Sequence, residues 1–216
     1  MVVFHDSATD CTTVTLKHGL LDFLKQELVP HGFRKSHQFF YKKAAIGRQI
    51  LHIAFIPYKD NVEINVNVDI RHEEIEKLDK IVLDEAYDIR TATIGAELGQ
   101  LANRNSMIWS LNDPSLIPVV GIDIMNAFWK IGWPFLKEYA SLEKIYEVLI
   151  SDDLPISDYL LIDHVRAEKA LLAAFLLNKK DMDMIIDAKL SYLLKKRNPY
   201  LSDFLKFVVS FKQYLR

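Results

Sequence analysis

From Val62 to Arg71 apolar and polar residues alternate without a break. Val62, Ile64, Val66, Val68 and Ile70 fall on one side, and Glu63, Asn65, Asn67, Asp69 and Arg71 on the other. A period of two is that of a β-strand with one buried face and one polar face. The preceding stretch, Gln49 to Tyr58, is apolar on both sides and supplies a partner strand. Asp60 and Asn61 tolerate positive φ and suit a two-residue turn between the two. With that turn Phe55 stands opposite Val66 and His52 opposite Asp69, and all core residues share one face. The other face then carries a candidate binding set: His52, Asn65, Asn67, Asp69 and Arg71. A solvated or helix-covered sheet face accounts for the same pattern.

A helical period governs most of the remainder. Thr13 to Val29 places Leu16, Leu20, Phe23, Leu24 and Leu28 on one face, and Pro30 and Gly32 stop it. Residues 1–12 read as a loose leader or a short strand. Phe33 to Lys43 reads as one aromatic strand, and Ala44 to Arg48 as a turn around Gly47. His72 to Leu83 reads as a helix with Ile75, Leu78 and Val82 inward and Glu73, Glu74, Glu76 and Lys77 outward. Arg90 to Leu98 is β-prone, and Gly99 to Asn112 fits neither period. Leu116 to Tyr139 is helical with an interruption near Gly132 and Pro134, and Ser141 caps a helix to Ile150. Beyond Asp152–Pro155 three more helices follow, begun by Ser157, Asp181 and Asn198–Pro199. Short connections between strands force antiparallel neighbours. The expected fold class is therefore α+β: a mostly antiparallel β-meander of about four strands with packed helices. An all-α C-terminal helical extension follows, dividing the chain at 1–152 and 153–216.

Composition narrows the partners. The chain has 216 residues and a net charge of −2, which gives no global attraction to nucleic acid or an anionic membrane. Residues 158–216 hold eleven Lys and Arg against seven Asp and Glu, a net of +4 that leaves −6 for the rest. Of these cations, Lys179–Lys180 and Lys195–Lys196–Arg197 sit at expected helix C-termini, where the dipole favours them. Seven glycines and seven prolines argue against disorder. One cysteine, Cys11, excludes an internal disulfide and fits a reducing cytoplasm. No basic and apolar leader stands at the start. The longest unbroken apolar run, Ala170 to Leu177, is too short to cross a bilayer.

No phosphate-binding glycine motif, zinc-protease motif or nucleophile elbow is present. His72 and Glu76 stand one helical turn apart and could in principle share a metal, but acidic residues in a first turn already have a dipole reason. His5, His18, His31, His37 and His164 are scattered, so no metal and no cofactor is expected. Trp129, Trp133 and Phe135 form a dense aromatic segment. It reads as a core plug, with an interaction patch as the alternative.

One order of pieces carries a resemblance. LLDFLKQELVPHGFRKSHQFFYKK is a helix ending at a GF, then a basic residue pair and an aromatic strand. An alternating strand, IGAEL with Leu101, a Trp, and IGWPFLKEYASLEKIYEVL follow. Gly32, Phe33, Lys35, Phe40, Gly95, Leu98, Leu101, Trp109, Gly132, Pro134 and Phe135 carry the likeness. Over roughly residues 15–150 the chain resembles a bacterial family known as domain of unknown function 4304. The resemblance implies an α+β domain of a soluble bacterial protein without an established enzymatic activity, and it supplies no catalytic residue. Related small bacterial families include immunity proteins that block toxins by binding. The function expected is non-catalytic binding of a protein partner, in an immunity or accessory role. The alternative is an enzyme working from the polar face around His52 and Asp69. A homodimer built on the Trp129–Phe135 region is a third reading.

Overall fold

The computed structural model describes residues 7–58, 61–86, 90–102, 107–152 and 162–215, with side chains from residue 13 onward. Helix α1 runs Ser7–Leu28, so residues expected as a leader form its first turns. Ser7 and Asp10 are residue types that helix starts favour. The aromatic strand expected over 33–43 is two strands, β1 (Arg34–Ser36) and β2 (Phe39–Ala44). They pair antiparallel with Arg34 opposite Tyr41 and Ser36 opposite Phe39. Between them His37 takes φ 53°, the left-handed conformation that His accepts better than most residues. Strands β3 (Gly47–Pro57) and β4 (Val62–His72) form the expected hairpin. Short β5 (Ile94–Glu97) and β6 (Ile108–Leu111) complete a six-stranded antiparallel sheet. Its order is β1-β2-β3-β4-β5, with β6 also paired to β4.

The hairpin register differs from expectation. Tyr58 N–H donates to Asn61 O at 2.9 Å, and Glu73 N–H donates to Ile46 O at 2.9 Å. Both bonds belong to a pairing two residues away from the expected one. Phe55 therefore falls opposite Ile64, and His52 opposite Asn67 rather than Asp69. A shift of two preserves the faces, so the core side is the one anticipated. Asn61 closes the ladder instead of lying in the turn; Asp60, the other expected turn residue, lies outside the described residues.

Two compact units share the chain. The first comprises residues 1–43, 49–68 and 97–136, and the second 44–48, 69–96 and 137–216. Strands β3 and β4 contribute to both, and the division expected at 152/153 falls inside the second unit.

In the first unit Leu16, Leu20, Leu24 and Leu28 of α1 are buried, as are Phe33, Phe40, Leu51, Ile53, Ile64, Val66 and Val68. After the short helix α3 (Leu98–Leu101) and β6, helix α4 (Ile117–Ala127) packs on α1. Each helix offers a glycine to the other. A Cβ on Gly19 would lie 2.5 Å from Ile117 Cδ1, and one on Gly121 would strike the Phe23 ring. The interruption expected near Gly132 is a widened π turn, Phe128–Gly132, that leads directly into α5 (Trp133–Glu138). Gly132 lies where a Cβ would come 2.8 Å from Val68 Cγ1. Pro134 follows at once, so the helical ladder is already rearranged where its donor is missing.

The second unit is built on helices α2 (Glu73–Leu83), α6 (Leu142–Ile150), α7 (Asp163–Leu176), α8 (Met182–Lys195) and α9 (Leu201–Tyr214). Helix α7 is central and packs on each of the other four. That explains its apolar run: Ala170 to Ala174 are all buried, on every side of the helix. Residues 157–161, expected as the start of this helix, lie outside the described residues.

Gly47 begins β3 at φ 146°, with the Arg71 carbonyl where a Cβ would stand. Gly47→Ala is therefore expected to lose about 2 kcal/mol or more of stability, combining a strained φ with a steric clash. Urea unfolding measures it, and a loss below ~0.5 kcal/mol would contradict this account of the turn.

Candidate functional site

The first unit holds His52, Asn65 and Asn67 of the expected polar face; Asp69 and Arg71 belong to the second. The five are thus not one cluster within either unit. The His52 ring stacks on Phe39 with centroids 4.2 Å apart and planes 12° off parallel. Burial pushes its pKa down, which favours a neutral imidazole. Its Nε2 and the Asn65 Oδ1 are both shielded from solvent and without a hydrogen-bond partner. In the second unit, burial pushes the Asp69 carboxyl up to about 7, although part of the residue's surface stays open. Among the described residues no hydrogen bond or ion pair reaches that carboxyl.

Arg71 departs furthest from expectation. Expected on the wet face, it is fully buried. Its Nη1 donates to Thr91 O at 2.7 Å and to the Thr91 hydroxyl, and its Nε to Glu73 at 3.3 Å. The Thr91 hydroxyl in turn donates to Glu76 Oε2 at 2.7 Å. Glu76, expected outward on α2, is 1% exposed. Its Oε1 accepts from the Thr93 hydroxyl and from Lys169 Nζ, each at 2.7 Å. Lys169 also donates to Ala92 O at 2.6 Å. Burial alone would raise the Glu76 pKa, but Lys169 and the two threonine hydroxyls outweigh it and hold it below its ordinary value. The sequence hid this site because three glutamates at a helix start have a sufficient reason in the dipole. The weak signal available was Thr91-Ala92-Thr93, which aligns two hydroxyls on one face of an extended segment.

A second charged cluster closes helix α6. Arg166 Nη1 donates to Leu149 O, Ser151 O and Asp152, and Lys189 Nζ donates to Ile150 O at 2.5 Å and to Asp152 at 2.7 Å. Both cations are 1% exposed. They satisfy carbonyls that the helix end leaves without partners. Burial pushes the Lys189 pKa down despite Asp152. Tyr192 lies under the Arg166 guanidinium, 5.0 Å from ring centroid to Cζ, and donates to Asp163 at 2.9 Å.

The aromatic segment lies in the first unit, largely against its core. Phe135 is buried, Trp129 packs edge-on to His31 at 4.6 Å, and Trp133 packs on Phe33 with Lys42 Nζ 4.5 Å from its centroid. Exposed apolar surface lies instead on the preceding helical segment. Leu116, Val119 and Ile122 recur at a spacing of three and are 38%, 66% and 54% exposed. Between Pro114 and Trp129 the only charged side chain is Asp123, which accepts from Trp109 Nε1 at 2.7 Å. By length and composition alone, the helical stretch Pro114–Glu138 passes for a membrane span, its most apolar 18-residue window having a mean hydropathy of 1.2.

Among the described residues no group of three or more His, Cys, Asp or Glu could hold a metal ion. The metal pair considered at His72 and Glu76 is committed elsewhere: His72 Nδ1 accepts from Ile75 N–H as the cap of α2, and Glu76 is bound as above. The architecture is that of an α+β sheet protein with a helical C-terminal region. No family model, no curated protein and no solved structure matches the chain.

Lys169→Met would strand the Glu76 carboxylate in the interior. The expected loss is about 3–5 kcal/mol by urea unfolding, and the double variant with Glu76→Gln should recover part of it. Simple addition of the two single losses would show that the pair does not act as a unit.

Proposed function

We propose that this chain is a non-catalytic binding protein that engages another protein through the exposed stripe Leu116–Val119–Ile122. The observation that carries the reading is that stripe, three adjoining apolar side chains turned to solvent on a helical surface that carries no cation. Contiguous exposed apolar surface of this kind marks contact sites more than isolated residues do. The opposite face of α4 is locked on α1 through Gly19 and Gly121, so the stripe is presented rigidly and little ordering is lost on binding. A nucleic-acid partner is disfavoured, because phosphate recognition needs cations and the stripe has none. A membrane surface is disfavoured on the same ground, since interfacial helices carry Lys or Arg beside their apolar face. The reading requires no cofactor. The family resemblance and the single thiol support a bacterial, cytoplasmic setting and an immunity or accessory role.

One observation favours the alternative enzyme reading: the unpartnered His52 Nε2 and Asn65 Oδ1, which would suit a small hydrogen-bonding guest. Among the described residues of the first unit no hydrogen bond or ion pair joins His52 to a carboxylate or a second titratable group.

A photoreactive residue placed at 122 tests the proposal in the native host. The expected result is one discrete adduct, absent when the group sits at exposed Glu27 and lost when Val119→Asp is added without change in melting temperature. Equal labelling from both positions, or none, would remove the proposal. An adduct of twice the chain's mass would assign the surface to self-association instead.

A further inference from the structure

The net charge of −2 conceals a local excess. From Leu28 to Lys59 the chain has six Lys and Arg, three His and no Asp or Glu. This stretch builds β1, β2 and β3. On the face turned away from the buried Phe40, Leu51 and Ile53, these strands carry a ladder of near-parallel rings. Tyr41 and Phe39 lie 5.8 Å apart at 18°, and Phe39 and His52 4.2 Å apart at 12°. All three rings belong to side chains that keep part of their surface open. The strand register puts Arg34 opposite Tyr41 and Ser36 opposite Phe39. Lys43 follows Tyr41 on the same face of β2. Arg34, Ser36 and Lys43 are exposed, and neither cation has an ion pair or hydrogen bond among the described residues. Lys35 and Lys42 are committed on the opposite face, to Asp22 at 3.1 Å and over Trp133 at 4.5 Å. Strand β1 ends the sheet, so no further strand stands beyond Arg34. At the other end the ladder stops at His52, and no second ring among the described residues covers it. Asn67 stands across from His52, and Asn65 is the next residue of β4 on that face. The His52 Nε2 and the Asn65 Oδ1 thus leave hydrogen-bonding capacity unmet beside the open end of the stack.

We propose that this sheet face binds single-stranded nucleic acid: a base extends the ring ladder at His52, and the strand crosses the ladder toward Arg34 and Lys43, which take its phosphates. Stacking on an aromatic side chain suits any base, because every base has a π face. The Asn65 Oδ1 can only accept, so it suits the exocyclic amino group of a base, while the His52 Nε2 suits a base edge or a sugar hydroxyl. Strands β1 and β3 lie about 10 Å apart across β2, which sets a footprint of a few nucleotides. A duplex keeps its bases stacked on one another and has no face to offer the ladder. An acidic peptide would satisfy Arg34 and Lys43 but would leave the rings unused. The α4 stripe lies on another element and carries no cation, so this site stands or falls without it.

Fluorescence anisotropy of end-labelled, mixed-sequence RNA and DNA strands of about 12 nucleotides reads binding by the full chain. Saturation by either strand supports the proposal, and the tighter of the two names the sugar. Two phosphate contacts predict a salt slope of about −1.4, which is roughly sevenfold weaker binding at about 200 mM salt than at about 50 mM. Arg34→Gln should weaken binding and flatten the slope by about 0.7. Lys195→Gln, an equal charge change on exposed α8, should leave affinity within about twofold and the slope unchanged. His52→Leu removes the ring and keeps its bulk; it should weaken binding about fivefold or more at every salt concentration without changing the slope. Arg34 is exposed, so its variant decides the matter even if His52→Leu does not fold. No saturation by either strand below about 100 μM at low salt would overturn the proposal. So would equal binding of a duplex, equal losses from Arg34→Gln and Lys195→Gln, or unchanged affinity in a folded His52→Leu variant.

Discussion

The Glu76 carboxylate sets the terms for the second unit. An ionised carboxylate out of water is tolerated only when cations and donors replace the lost hydration. Here one ammonium and two hydroxyls do so, with Arg71 Nη1 3.7 Å away. The donors come from α7 and from the segment leading into β5, while Glu76 itself is on α2. Three elements distant in sequence are thereby fixed to one point. Apolar packing alone would accept small slips of α7 along α2; a bound charge does not, because any slip leaves an unpaired ion. This is specificity more than net stability, since buried ion pairs seldom outperform well-packed apolar residues.

Much of the architecture was legible in the chain, and the failures have physical causes. The alternation of β4 gave its buried side correctly because a strand period of two leaves no freedom about faces. Its register was misread because Asn61 suits a turn and also suits the last ladder position, and two registers differing by two residues keep the same core. The helices after residue 162 were legible from their period, and α8 also from Asp181 at its start, whereas α9 begins at Leu201, two residues beyond the expected start at Pro199. The split of 33–43 into two strands was not, because a single His can take a left-handed turn that gives no glycine signal. The helix start at Ser7 was missed because its first turns carry little apolar periodicity.

The candidate site was less legible than the fold. Alternation assigns a polar face, but it cannot say which polar residues other elements will bury. Arg71 sits in the alternating pattern as a wet residue, yet folds into the interior because Thr91 and Glu73 provide acceptors from elsewhere in the chain. Trp129 and Phe135 drew attention by size, whereas size is what the core recruits first. The modest side chains Val119 and Ile122 were left outside because α1 covers only one side of α4 and gives them nothing to pack on.

The widened turn at Phe128–Gly132 has a consequence for how this helical stretch can vary. A π turn holds one residue more than an ordinary turn, so it re-phases everything downstream by about a quarter of a rotation. Upstream, α4 is keyed to α1 by Gly121; downstream, Phe135 and Leu136 are buried and the Leu136 carbonyl accepts from Gln49. The two halves are locked to different surroundings, and the extra residue is the only slack between them. Substitutions can drift along this helix one at a time, but a one-residue deletion cannot. The length of the segment is therefore under a tighter constraint than its composition.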